Sequence, residues 1–140
     1  MNVRDVMTSD PATCRRDTSL RDVARMMVEC DCGAIPVVDE GQKPLGVITD
    51  RDMVVRLIAN GRNPIECTAQ DAMTGDPLCV RPDESVEDTS EKLEDRKVRR
   101  AIVVDESGKV CGILAQADIA KRDEDLAGEL VQSVSQPTAH

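Results

Sequence analysis

Asp5-Val6-Met7-Thr8-Ser9-Asp10-Pro11 returns as Asp71-Ala72-Met73-Thr74-Gly75-Asp76-Pro77, 66 residues later (71 − 5). With no gap, the same offset lays Asp17 on Asp83, Ser19 on Ser85 and Asp22 on Asp88. It then lays Val37-Val38-Asp39-Glu40 on Val103-Val104-Asp105-Glu106, Gly46 on Gly112 and Asp52 on Asp118. Register held over that distance marks a tandem repeat. Two copies of one supersecondary unit usually bury their apolar faces on each other and create paired, pseudo-symmetric clefts. Function is to be sought where the copies differ.

Each copy carries the same order of elements. Ser19, three before Asp22, opens a helix with Leu20, Val23, Ala24 and Met27 at helical spacing; Ser85 and Asp88 repeat the signal, with Val86 and Leu93 on the stripe. Ala34 to Val38, the turn Asp39-Glu40-Gly41, and Pro44 to Ile48 read as two strands around a turn, matched by Ala101 to Val104, Asp105 to Gly108, and Val110 to Leu114. A second helix begins near Thr49 or Ala115; in the first copy it carries Met53, Val54, Leu57 and Ile58 and stops at Asn60-Gly61. Cys14 and Cys79 fall in an early strand, so the unit is strand, helix, strand, turn, strand, helix. Thr68, three before Asp71, caps a short helical turn that Val3 to Met7 matches at the start. The reading gives a first copy over 1–66, a second over 67–128 and a loose tail over 129–140.

Composition sets outer limits. The 140 residues suit one compact domain or two half-domains sharing a core. With 40% apolar and 32% charged residues the chain is globular, and no apolar run approaches the roughly 20 residues of a membrane span, so no membrane partner is expected. The N-terminus lacks a secretory leader's apolar stretch, which points to the cytoplasm. A net charge of −9, a pI near 4.6 and no Phe, Tyr or Trp argue against nucleic acid, which needs clustered cations or stacking platforms. A lone nucleotide remains compatible, since aliphatic side chains can sandwich one base.

The six cysteines, at 14, 30, 32, 67, 79 and 111, form no Cys-x-x-Cys pair, and the one histidine is His140. Neither a disulfide scaffold nor a metal site is expected; most read as small buried residues. With no internal histidine to serve as a base and no phosphate-loop or zinc-protease motif, no enzyme is expected, and no cofactor is required. A redox-sensing thiol is the least poor enzyme-like option.

From Asp5-Val6-Met7-Thr8 through Pro36-Val37-Val38-Asp39 to Gly46-Val47-Ile48-Thr49-Asp50-Arg51-Asp52, each copy closely resembles a CBS repeat, and the chain resembles a stand-alone CBS pair, or Bateman module. The resemblance implies an α+β fold of two β-α-β-β-α repeats packed sheet to sheet with pseudo-two-fold symmetry. It also implies a disc-like homodimer and two clefts for adenosine-containing ligands such as AMP, ADP, ATP or S-adenosylmethionine. In the first cleft, Thr49 at a strand end and Asp52 one turn on suit phosphate and ribose, while a purely structural helix cap accounts for them as well. The resemblance adds Arg51, backbone groups of Ala12, Thr13 and Cys14 for the base edge, and Ile35 and Pro36 as an apolar wall, although ordinary strand and core packing accounts better for each of these last five taken singly. The second cleft departs: Ala115 replaces the Thr hydroxyl and Ile102 stands where the first copy has Pro36. Asp118 survives, Val80 matches Cys14 on the early strand, and Arg99-Arg100 stands where the first copy has Gly33-Ala34. The sites are expected to be unequal. The module reads as a sensor that passes its ligand state to an effector protein encoded elsewhere. The alternative is a ligand-free adaptor on the same fold.

Overall fold

The computed structural model describes residues 1–135, with side-chain surroundings through residue 128. The first copy contributes β1 (Thr8–Ser9), α1 (Leu20–Cys30), β2 (Ala34–Val38), β3 (Pro44–Thr49) and α2 (Asp50–Asp52). The last runs on through a π-helical turn, Met53–Leu57, and a 3-10 turn, Ile58–Asn60, before Gly61 ends it in the left-handed conformation. A 3-10 turn, Pro64–Glu66, leads to α3 (Ala69–Ala72), which opens the second copy: β4 (Thr74–Gly75), β5 (Cys79–Val80), α4 (Val86–Arg96), β6 (Arg100–Val104), β7 (Val110–Ala115) and α5 (Gln116–Ser135).

Local signals place the helices. The Ser19 and Ser85 hydroxyl oxygens accept the backbone N–H of Asp22 at 3.1 Å and of Asp88 at 3.0 Å, each satisfying a donor that a first helical turn leaves open. Thr68 N–H donates to the Asp71 carboxylate at 2.9 Å, closing the box expected there. α1 and α4 end alike on left-handed residues, Asp31 and Lys97.

The strands form two sheets, in the orders β1-β7-β6-β5 and β2-β3-β4. Each copy therefore sends its opening strand into the other copy's sheet. β1 pairs antiparallel with β7, Thr8 opposite Ile113, and β4 pairs with β3, Thr74 opposite Val47. The repeated Asp-Pro marks the place where the chain turns back, with Asp10 and Asp76 at φ 47° and 49°, a region Asp tolerates better than most residues. The repeated glycine makes the exchange possible. A Cβ on Gly46 would lie 2.5 Å from the Thr74 carbonyl oxygen, and one on Gly112 would lie 2.6 Å from the Met7 sulfur and 3.1 Å from the Thr8 carbonyl oxygen.

Two apolar cores follow. One gathers Leu20, Val23, Ile35, Val37, Ile48 and Leu57 with Cys67, Ala69 and Ala72 from the segment that opens the second copy. The other gathers Leu78, Val80, Val86, Leu93, Ala101, Val103, Leu114 and Ile119 with Val3 from the segment that opens the first. Backbone hydrogen bonds tie the exchanged segments down: Val3 N–H to the Glu84 carbonyl at 2.9 Å and Leu20 N–H to the Cys67 carbonyl at 3.0 Å.

Several expectations are corrected. Ala24 is exposed, and α1 turns Leu20 and Val23 inward with Met26 and Met27 beside them. Val54 and Ile58 are 54% and 56% exposed, because the π-helical turn rotates the apolar stripe and leaves Leu57 inside. The early strand of the first copy shrinks to a single parallel bridge between Cys14 and Val37. Helix α5 continues past Gly128 to Ser135, where a loose tail was expected from 129; the rest of that tail, 136–140, lies outside the described residues. Cys14 and Cys67 are buried as expected, but Cys79 is exposed and Cys30 is joined to Cys32 in a disulfide, a pairing that spacing alone did not suggest.

Candidate functional site

Two cavities open between the copies. Thr49 and Asp52 line one of about 160 Å³, together with Val47, the segment 74–78 and residues from Val98 to Ile102. Ala115 and Asp118 line the other, of about 320 Å³, together with Ile113, Thr8, Asp10, Pro11, Ala12 and residues from Cys30 to Ala34. The repeat offset maps one wall onto the other. Thr8, Asp10 and Pro11 answer to Thr74, Asp76 and Pro77, and Ala115 and Asp118 answer to Thr49 and Asp52. Each cleft joins the strand-to-helix junction of one copy to the opening segment of the other.

The strand exchange redistributes the expected site. Thr49, Asp52, Arg100 and Ile102 come together in the smaller cleft, and Asp118 lies in the larger one, which Arg100 also reaches. The base wall expected beside Thr49 is not there: Ala12 faces the Asp118 cleft, while Thr13, Cys14, Ile35 and Pro36 line neither cavity. Ile35 and Val80 are sealed in the cores, and Cys14 is buried with its thiol pushed up to about 11 by loss of solvent. Arg51 is exposed and lies in neither wall. Asp10, Asp31 and Asp76 line the cavities without having been singled out. The repeated Asp-Pro was the available signal for Asp10 and Asp76, but its meaning depends on which sheet the preceding strand joins.

At the Thr49 junction the two polar side chains hold each other. Asp52 N–H donates to the Thr49 hydroxyl oxygen at 3.1 Å, and Thr49 N–H donates to Asp52 Oδ2 at 2.9 Å. This is the structural cap, and it leaves chemistry to spare. The Thr49 hydroxyl keeps its own proton for donation, and Asp52 Oδ1, 3.8 Å from Arg56 Nε, keeps lone pairs for incoming hydroxyls. In the other cleft Ala115 N–H donates to Asp118 Oδ2 at 3.1 Å, half of the same arrangement. The acid is retained and the hydroxyl is gone.

Size and charge separate the clefts. Leu78 occupies the place of Ala12, and Arg99 and Arg100 the places of Gly33 and Ala34, so bulk fills the Thr49 cleft. The larger volume lies within the roughly 300–1,000 Å³ typical of small-molecule sites and the smaller below it. The Thr49 cleft sets Arg99 and Arg100 against Asp52 and Asp76; the Asp118 cleft sets Arg100 alone against Asp10, Asp31 and Asp118. Among the described residues no helix is long and apolar enough to cross a membrane.

Comparison with known proteins matches this architecture. The sequence model of the CBS domain fits residues 3–59 and 69–125. An uncharacterized protein of Methanopyrus kandleri, MK0525, is 34% identical over 116 residues, covering 83% of this chain; the chain spans 57% of that relative's length. The CBS domain-containing protein YhcV of Bacillus subtilis is 31% identical over 141 residues, covering 99% of each chain. Among solved structures, the CBS domain pair of protein MJ0100, in complex with 5′-methylthioadenosine and S-adenosyl-L-methionine, superposes with a TM-score of 0.77 at 26% identity, covering 86% of this chain and 98% of its own. CBSX2 of Arabidopsis thaliana in complex with AMP gives a TM-score of 0.73 at 29% identity, covering 90% and 98%. With two matched repeats, exchanged opening strands and paired clefts, this chain belongs to the CBS domain family as a tandem pair.

Proposed function

We propose that this chain is a non-catalytic regulatory module of the cytoplasm that holds an adenosine-containing ligand in the clefts between its repeats and passes the ligand state to a partner protein. The observation that carries this reading is the retention of one acid, Asp52 or Asp118, in the wall of each cleft, with a backbone N–H orienting its carboxylate. A carboxylate so held accepts two hydrogen bonds from vicinal ribose hydroxyls. Val47, Leu78 and Ile102 offer an aliphatic bed for the base, and Arg99 and Arg100 offer charge to a phosphate. The complexes of MJ0100 and CBSX2 with adenosine compounds support the same ligand class. A ligand touching both copies favours the packing in which both walls reach it, by no more than its differential affinity for the two arrangements.

Calorimetric titration with AMP, ADP, ATP and S-adenosylmethionine tests the reading. At least one is expected to give saturable heat, and Asp52→Ala combined with Asp118→Ala is expected to weaken it roughly ten- to a hundredfold, the loss of hydrogen bonds to a charged acceptor. If none of the four gives heat, the ligand-free adaptor takes its place.

A further inference from the structure

Among the described residues, Arg100 alone lines both cavities. It opens β6 directly across from Ala115, in the partition between the clefts. Its side chain is half-buried, and among the described residues no carboxylate lies within 4.0 Å of its guanidinium. The neighbouring acids are served by other cations: Arg96 approaches Asp76 at 3.4 Å and Arg56 approaches Asp52 at 3.8 Å. The first copy has Ala34 at the equivalent position, so the two clefts have one such guanidinium between them. Arg99 reaches only the Thr49 cleft, which leaves Arg100 as the sole cation of the Asp118 cleft among the described residues.

An unpaired guanidinium that lines two cavities turns toward whichever side offers an anion, because a charge-assisted contact out of bulk water is stronger than an exposed one. Once it turns, the other side loses it. When Arg100 faces the Thr49 cleft, the Asp118 cleft presents Asp10, Asp31 and Asp118 with no compensating charge. We propose that Arg100 is a phosphate-binding residue shared by the two clefts, so that a phosphorylated ligand in one weakens the binding of a phosphorylated ligand in the other. An uncharged nucleoside makes no demand on Arg100 and escapes the antagonism. The inference rests on the proposed binding of adenosine compounds and adds a coupling between the clefts, of the roughly 5- to 150-fold size usual for linked sites.

Titration of the full chain with AMP as the charged probe and adenosine as the uncharged one tests it. Asp52→Ala disables the Thr49 cleft and so reports the Asp118 cleft alone. The AMP dissociation constant measured there is expected to be about tenfold tighter than that of the second AMP in the unmodified chain; a second AMP too weak to detect supports the proposal only where Arg100→Gln restores it, and overturns it where Arg100→Gln does not. Adenosine is expected to show no such difference, which also guards against damage to the fold. In Arg100→Gln, with and without Asp52→Ala, the AMP difference is expected to vanish. Equal AMP constants, or a difference that survives Arg100→Gln or appears equally with adenosine, overturn the sharing and leave ligand binding intact. Absence of heat from both probes in every variant overturns ligand binding, and the sharing with it.

Discussion

Thr89 stands where the first copy has Val23; it is fully buried, and its hydroxyl has no hydrogen-bond partner among the described residues. An unsatisfied buried hydroxyl costs more than the methyl that would replace it. Thr89→Val is therefore expected to stabilise the chain by about 1 kcal/mol, seen as a higher urea midpoint with an unchanged slope. Cys14 carries a different residue-scale signal. Burial favours its neutral thiol and moves the pKa from 9.0 to about 11, so the unfolded chain releases this proton first as the pH rises. The stability contributed is complete below pH 9 and is lost as the pH climbs toward 11. Cys14→Ala is expected to show a shallower decline of urea midpoint across that window than the unmodified chain; parallel declines would refute the assignment. Asp52 and Asp118 were legible as cleft acids because they recur at the repeat offset beside a strand end. Ile35 and Cys14 were readable as core residues from their apolar runs, and their burial agrees with that reading, whereas the place of each beside a cleft came only from the resemblance.

Glycine decides matters at the scale of the element. Gly46 and Gly112 occupy equivalent strand positions, yet a Cβ meets a rigid backbone oxygen at 2.5 Å in the first and chiefly a flexible methionine side chain in the second. Gly46→Ala is expected to cost about 1–3 kcal/mol, and Gly112→Ala distinctly less, because Met7 can change rotamer while a strand carbonyl can move only with its sheet. Urea midpoints of the two variants check the order, and the reverse ranking would show that β1 is held more rigidly than β4. The helix starts were readable in advance from Ser19, Ser85 and Thr68, since a cap is a local bargain between a side chain and a backbone donor a few residues away. The π-helical turn at Met53–Leu57 has no comparable local signature, and it leaves Leu57 inside with Val54 and Ile58 at the surface.

Taken as a whole, the molecule leaves Val54, Val55 and Ile58 roughly half exposed on adjoining turns of one helical segment, at 54%, 48% and 56%. Neighbouring apolar side chains of this kind suit an interaction face, and the homodimer that the family resemblance implies is the proposal they serve. Sedimentation is expected to give a dimer, and Val54→Asp with Ile58→Asp a monomer with unchanged far-ultraviolet circular dichroism; a monomeric unmodified chain would rule this out. What the sequence determined alone is everything that depends on spacing along the chain: the duplication, the order of elements, the helix caps, the acid repeated at each strand-to-helix junction and the inequality of the two clefts. Only the tertiary structure decided which wall faces which. Each opening strand crosses to the other copy's sheet, so Thr49 meets Arg99 and Arg100 from the second repeat, and Ala12 meets Asp118. Strand exchange leaves every local pattern along the chain unchanged, so both pairings satisfy the same letters. The choice between them rests on the close approach at Gly46 and Gly112 and on two cores that close only around the partner copy's opening segment.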